Sequence, residues 1–367
     1  MPNEPCIALY MPAFAMGDAR MVSAMAPLLR NGGFRPFVVV EKDEGVHRES
    51  FAKDTLIVTT SAASGALRGP WRLIHDFLCL RHILFEHKPS WLLTSHTAGG
   101  AAMGILAAKS CRAGIRTAVF LPGPPRAGRG LGRLQRLLYR GLGLVLRRAD
   151  YLFADAHYIS GAWAPWVGGR KPVFFGRVPL PAPTSKATEE QDDKKGALTA
   201  VVIGRASPQK RLDVCLRAVK LVRVAGVPLQ LRIVSAGADG NELAALIAKE
   251  ELQSSVHFVG FTDEVETHLR AADVYLQSSD WEPLGMAILE ALSLGKRVVS
   301  TDCVGPSEIL RDGIGWLAPR GDVARIAQAI LAALRAPAID PRRQERAREY
   351  SVTTGMPALL SILRADS

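Results

Sequence analysis

Aromatic side chains make up only 7% of the 367 residues, and there are just five cysteines, Cys6, Cys79, Cys111, Cys215 and Cys303. They are odd in number and far apart, with no C-x-x-C pair. That excludes a disulfide framework and a cysteine zinc site, and fits a reducing cytoplasm. No run of 18 apolar residues occurs, so the sequence offers no spanning helix. The apolar run 7–16 follows Glu4 with no basic segment before it, and reads as a first buried strand rather than a leader. G-x-G-x-x-G, G-x-x-x-x-G-K-[ST], H-E-x-x-H and G-x-S-x-G are all missing, which weakens nicotinamide, flavin, P-loop, zinc-protease and hydrolase readings. There is no D-x-D pair, and the eight histidines show no ligand spacing. No metal and no cofactor are expected. Acid is also missing locally: between positions 87 and 149 no Asp or Glu accompanies eleven Lys and Arg.

What is present describes an ordinary globular protein, with 48% apolar and 22% charged residues. The length suggests two domains. The net charge of +11 is uneven, since residues 1–190 hold 24 basic and 13 acidic side chains and the remainder 22 of each. An anionic partner is expected on the first half. Nucleic acid is the rival use of that charge, but no aromatic-interleaved groove accompanies it, so no nucleic-acid partner is expected.

Short apolar runs at 7–11, 37–40, 55–58, 91–95, 117–121 and 151–154 alternate with segments of helical spacing. This pattern predicts α/β structure with a doubly wound parallel sheet. A Pro-, Thr- and Ser-rich, then polar, stretch at 179–196 has linker composition. The alternation resumes at 198–204, 229–235, 256–260, 274–277, 297–300 and 315–317. In such sheets ligands lie beyond the carboxyl ends of the strands, which predicts a cleft between the domains.

Two elements of the second half carry chemistry. The strand at 198–203 ends in Gly204-Arg205, followed by Lys210 and a helix from about Leu212. Arg offers a planar fork to phosphate and Lys a compact charge, although two solvated loop cations would read the same way. Further on, Glu282 precedes Pro283 at an expected helix start, Glu290 follows eight residues later, and Gly295 ends the helix. On one helix those carboxylates would stand about 80° apart. The amides of Leu284, Gly285 and Met286 would be open first-turn donors for an anion. A capping acid with an exposed Glu is the plainer alternative.

Together these elements resemble the GT-B glycosyltransferases, in particular the retaining group called family 4 (glycosyl transferases group 1). The likeness runs from VVIGRASPQKRLD through VHFVGFTDEVETHLRAADVYLQSSDWEPLGMAILEALSLGKRVVSTDCVGPSEILRDGIGWLAPRGD. The resemblance implies two doubly wound Rossmann-like domains facing across a cleft. They would comprise an acceptor-side domain at 1–183, a linker at 184–197, a nucleotide-sugar domain at 198–345, and a C-terminal helix at 346–367 crossing back. It implies that Arg205 and Lys210 bind the donor diphosphate, Glu282 the donor sugar and Glu290 the ribose. Gly204, Leu284, Gly285 and Met286 would line the phosphates, and Gly260-Phe261 would meet the base. One departure is Ser235-Ala236-Gly237, where the family has Gly-x-Gly. In the first domain Gly17-Asp18-Ala19-Arg20 resembles the family's Gly-Gly loop, with Asp18 in place of a glycine. His96 resembles a catalytic family histidine, although a lone His is usually structural.

The implied reaction moves a sugar with retention from a nucleotide-diphosphate sugar, without metal, to a lipid-linked glycan, oligosaccharide or polysaccharide precursor. Segment 128–148 gives the first-half charge a location. On a helical wheel Leu131, Leu134, Leu138, Leu142 and Val145 gather opposite Arg129, Arg133, Arg136, Arg140 and Arg147. Such a helix suits an anionic membrane surface, and predicts a peripheral protein at the inner face of the cell membrane. A surface helix packed on its own sheet would show the same periodicity. The alternatives in function are a membrane-binding protein of the same fold without activity, and a sugar synthase or phosphorylase with a soluble acceptor.

Overall fold

The computed structural model describes residues 4–14, 17–45, 47–53, 55–60, 70–111, 113–121, 123–125, 133–181, 198–235, 240–262, 264–338 and 340–365. Arg129, Leu131, Ala236, Gly237 and the expected linker at 184–197 lie outside them. The chain divides into two units, Met1–Pro179 with Tyr350–Ser367, and Leu180–Glu349.

The first unit is built on β1 (Cys6–Ala13), β2 (Arg35–Lys42), β3 (Ile57–Thr59), β4 (Trp91–Ser95), β5 (Arg116–Leu121), β6 (Tyr151–Ala154) and β7 (Val173–Phe174). They form one parallel sheet in the order β3-β2-β1-β4-β5-β6-β7. Strands covered on both faces read as unbroken apolar runs, and every residue of β4 is buried. The connecting helices are α1 (Gly17–Asn31), α2 (Pro70–His87), α3 (Ala98–Ser110), α4 (Arg133–Leu146) and α5 (His157–Trp163). Small residues let α3 lie close to the sheet: a Cβ on Gly104 would come within 3.1 Å of the Thr94 hydroxyl.

The second unit repeats the plan with β8 (Thr199–Ile203), β9 (Gln230–Val234), β10 (Val256–Gly260), β11 (Val274–Gln277), β12 (Arg297–Thr301) and β13 (Trp316–Ala318). Its parallel order is β10-β9-β8-β11-β12-β13. The helices are α6 (Leu212–Val224), α7 (Gly240–Lys249), α8 (Val265–Ala271), α9 (Met286–Ser293), α10 (Val304–Ile309), α11 (Val323–Arg335) and α12 (Pro341–Glu349).

After α12 the chain returns to the first unit, where Val178 bridges Ser351 in parallel. Helix α13 (Val352–Ala365) buries Val352, Met356, Leu359 and Leu363 against Met21, Met25 and Leu29 of α1. Truncating any one of these leucines to alanine would cost about 2–5 kcal/mol.

Each sheet has a topological switch point, where the connections leave to opposite sides and open a crevice at the strand ends. It lies between β1 and β4 in the first sheet and between β8 and β11 in the second.

Candidate functional site

In the second unit three of the residues expected to bind a donor, Gly204, Lys210 and Glu282, come together at that switch point. Gly204 follows β8 with φ 142°, and its amide donates to the Val234 carbonyl at 3.0 Å. A Cβ there would stand 3.3 Å from Lys210 Cε, so the lysine stem lies over the glycine. The loop after Gly204 is strapped to the loop after β11. Ser278 Oγ donates to the carbonyls of Lys210 (2.8 Å) and Arg211 (2.9 Å), and the Asp280 amide donates to the Gln209 carbonyl (2.9 Å). Arg211 adopts φ 48° and forks onto Asp213 (2.9 and 3.1 Å) and both Asp280 oxygens (3.2 Å). These ties deliver Lys210 Nζ to Glu282 Oε2 at 2.6 Å, in a half-buried ion pair. Arg205 is exposed and has no ion pair among the described residues.

Glu290 is buried in α9. Burial above all, and then the charges of Glu282 and Glu290, push the Tyr275 phenol well above its ordinary value. The Tyr275 hydroxyl donates to Gln277 Oε1 at 2.9 Å. Buried beside it, Gln277 Nε2 and Ser279 Oγ have no hydrogen-bond partner among the described residues, an arrangement that folded proteins seldom leave unfilled. Phe261 is exposed just after β10.

The helix carrying Glu290 differs from the sequence reading. It begins at Met286, not at Pro283, because its N-cap Gly285 sits at φ 98°, outside helical space. Glu282, Leu284 and Gly285 thus lie in a preceding turn, and of the expected first-turn amides only Met286 belongs to the helix. The 80° relation between Glu282 and Glu290 does not apply, and Glu282 pairs with Lys210 instead of capping a helix. The turn is held from outside: the Gly305 amide donates to the Glu282 carbonyl (3.3 Å), and a Cβ on Gly305 would fall 2.5 Å from the Pro283 carbonyl oxygen. Arg211, Ser278 and Gly305 were missed in the sequence; only the Gly305-Pro306 pair gave any signal.

The first unit gathers a second polar group at its own switch point. Gly17 opens α1, and next to it Asp18 Oδ1 accepts from Ser95 Oγ and from Arg177, both at 2.7 Å. The same guanidinium donates to Asp155 at 2.6 Å. Burial raises the Asp155 carboxyl, with Arg177 opposing. The Asp18 carboxylate is therefore paired from within the protein, by an arginine it shares with Asp155.

His96 sits nearby at 6% exposure. Its Nε2 is 3.0 Å from Glu41 Oε1 and its Nδ1 is 3.1 Å from Thr97 Oγ1. Tyr10 also donates to Glu41 Oε1, at 2.8 Å. Burial favours a protonated Glu41, but His96, Tyr10 and Arg72 prevail and hold its carboxyl below the ordinary value. A Cβ on Gly100 would overlap the imidazole, which rests on the backbone of α3. The Nδ1 nitrogen thus meets Thr97, while Nε2 stands beside Glu41 with no hydrogen-bond partner among the described residues.

Helix α4 departs from its expected two-sided wheel. Leu138 is exposed, Leu142 and Val145 are half-buried, and Leu137 and Leu144, outside the expected apolar arc, are exposed among Arg136, Arg140 and Arg147. The helix turns inward on Leu146 and Gly143, where a Cβ would lie 2.1 Å from the Trp166 carbonyl. That glycine serves close packing. Arg133 opens the helix, and Arg147 follows its last residue. Among the described residues no helix is long and apolar enough to cross a membrane, and no three His, Cys, Asp or Glu side chains converge as a metal site.

Two parallel Rossmann-like domains of this order are the architecture of the GT-B glycosyltransferases. Residues 184–351 match the family model for glycosyl transferases group 1. Over 143 residues the chain is 30% identical to the amylovoran biosynthesis glycosyltransferase AmsK of Erwinia amylovora, covering 36% of this chain and 35% of that protein. It is 33% identical over 162 residues to the lipopolysaccharide core biosynthesis glycosyltransferase LpsE of Rhizobium meliloti, covering 44% and 46%. The chain thus spans less than half the length of these relatives. Among solved structures it superposes on a glycosyltransferase from Rickettsia africae (TM-score 0.79, 16% identity, 99% of each chain). It also superposes on Anabaena HepE in complex with UDP (TM-score 0.78, 17% identity, 98% of this chain and 100% of that one).

Proposed function

We propose that the protein is a glycosyltransferase that moves a sugar from a nucleotide-diphosphate sugar to a lipid-linked glycan or cell-surface polysaccharide precursor. The observation that carries this reading is the Lys210–Glu282 ion pair at the second switch point, beside the left-handed turn at Gly285. A diphosphate arriving there gains Lys210 and the exposed Arg205, and frees Glu282 to accept sugar hydroxyls. Glu290 serves the ribose, Phe261 the base, and Gly204 and the turn at Leu284–Met286 the phosphates. The polysaccharide and lipopolysaccharide relatives support the acceptor class.

The reaction proceeds with retention: the acceptor hydroxyl attacks from the face the diphosphate leaves, and a phosphate oxygen takes its proton. Charge develops on the diphosphate, so Arg205, Lys210 and nearby amides supply the main stabilisation. With no D-x-D in the chain, these cations take the place of a metal. His96, beside Glu41 and Thr97 at the end of β4, serves the sugar or acceptor, and Gly17 opens the neighbouring loop. The exposed Arg136, Arg140 and Arg147 hold the protein at the anionic inner face of the membrane.

Incubating the purified protein with UDP-, GDP- and ADP-sugars and a lipid-linked acceptor, and following released nucleoside diphosphate, tests this reading. Release from one donor class, with a glycosylated product of retained anomeric configuration, is expected. No release from any donor overturns it.

A further inference from the structure

Beside α4 a cavity of about 430 Å³ is lined by Arg140, Leu144, Arg147, Pro165 and Trp166. We propose that this cavity is a headgroup site for an anionic phospholipid, with the phosphate between Arg140 and Arg147 and the acyl region along Leu144 and Trp166. The inference rests on the membrane part of the reading above and gives it a location.

Four observations converge on the site. Neither Arg140 nor Arg147 has an ion pair among the described residues, although both line one cavity. Arg140 lies on α4 and Arg147 one residue past its end, its amide still donating to the Gly143 carbonyl at 3.0 Å, two turns further along. Two unpaired arginines side by side repel each other, and a bound phosphate relieves that while accepting forked hydrogen bonds. The exposed Arg147 guanidinium runs close along the backbone after α5: a Cβ on Gly168 would lie 2.8 Å from its Nε.

The walls decide between a lipid and a soluble phosphate. Leu144 is 52% exposed, and Leu137 and Leu138 of the same helix are 64% and 63% exposed. Trp166 packs on Tyr139 at 5.6 Å between centroids, which gives the site a firm aromatic side. A soluble phosphate makes no use of that apolar border, whereas a lipid does, and Trp favours the interface between headgroup and chain. With no acidic residue from 87 to 149, nothing on this stretch of chain opposes an anionic surface.

The test uses the full chain and vesicles of pure phosphatidylcholine or of phosphatidylcholine with phosphatidylglycerol, read by flotation. Arg140→Gln with Arg147→Gln should reduce the fraction bound to anionic vesicles at least tenfold. Arg81→Gln with Arg148→Gln removes the same charge from exposed positions outside the cavity and should reduce it less than threefold. Equal losses in both pairs would leave diffuse membrane attraction standing and overturn the site. Wild-type flotation by the Arg140/Arg147 variant would overturn it too, and failure of the unaltered protein to float would remove the membrane reading itself. Excess glycerol phosphate should not compete; full competition would identify a soluble anion and contradict the lipid. Because both side chains are exposed, the variants should keep the wild-type melting midpoint. As a second probe, Trp166→Phe should abolish any vesicle-induced shift in tryptophan emission, and a shift that persists unchanged counts against the site.

Discussion

Replacing Lys210 by alanine removes the cation 2.6 Å from Glu282 and the one that Ser278 and Gly204 hold in place. A unit charge pair near 4 Å contributes about 4 kcal/mol at an effective dielectric of 20. Both side chains keep some contact with water, 23% for Lys210 and 14% for Glu282, so the realised difference is smaller. About 2.7 kcal/mol of lost transition-state stabilisation is expected, a roughly hundredfold fall in turnover. The assay is the initial rate of nucleoside diphosphate release at saturating donor, paired with a melting curve. Because the pair is only half-buried, the melting midpoint should fall little, which separates chemistry from folding. Glu282→Gln should also impair turnover, and the double variant should fall short of the product of the two losses because both act on one bound group. Turnover within about threefold of wild type for Lys210→Ala, less than 1 kcal/mol in the barrier, would refute the reasoning.

The remaining predictions concern the scaffold and its charge. Gly305→Ala places a methyl 2.5 Å from the Pro283 carbonyl oxygen and should destabilise by about 1–3 kcal/mol in denaturant unfolding, lowering activity by shifting the Glu282 turn. Arg177→Leu strips the shared partner from Asp18 and buried Asp155 and should cost about 3–5 kcal/mol, read the same way. Because Glu41 is held below its ordinary value in the fold, its contribution to stability is present above the unfolded carboxylate value of about 4.3 and lost as pH falls below it. Glu41→Gln should therefore destabilise near neutral pH, by a margin that shrinks as acid is added; a margin independent of pH contradicts this. Reversing Arg133, Arg136 and Arg140 to Glu should abolish flotation with anionic vesicles, and unchanged flotation counts against a membrane role.

Much of the framework was legible because parallel strands covered on both faces carry a strong local signal. Trp91–Ser95, Tyr151–Ala154, Val256–Gly260 and Val274–Gln277 match the expected strands residue for residue. The two-residue β7 was not legible, since alternation cannot show in Val173–Phe174. Pro283 misled because a proline just inside a helix start is common, whereas here Gly285 at φ 98° delays the helix to Met286. In α4 the spacing of the leucines gave an apolar arc, but Gly143 decides the inward face through its fit to Trp166, which no periodicity contains. The candidate residues themselves were visible, and their partners were not. Lys210 and Glu282 lie 72 positions apart and Asp18 and Arg177 lie 159 apart, so each pairing exists only once the sheet brings strand ends together.

Titrating UDP, GDP and ADP in turn into the protein and into its Lys210→Ala variant, by calorimetry, addresses the proposed donor site without needing to know the acceptor. One nucleoside diphosphate should bind the wild-type protein, raising stability by about 2.7 kcal/mol at a hundredfold excess over Kd, and should bind the variant at least tenfold more weakly. Binding of none of the three, or equal binding to both proteins, would contradict a donor site built on Lys210 and Glu282.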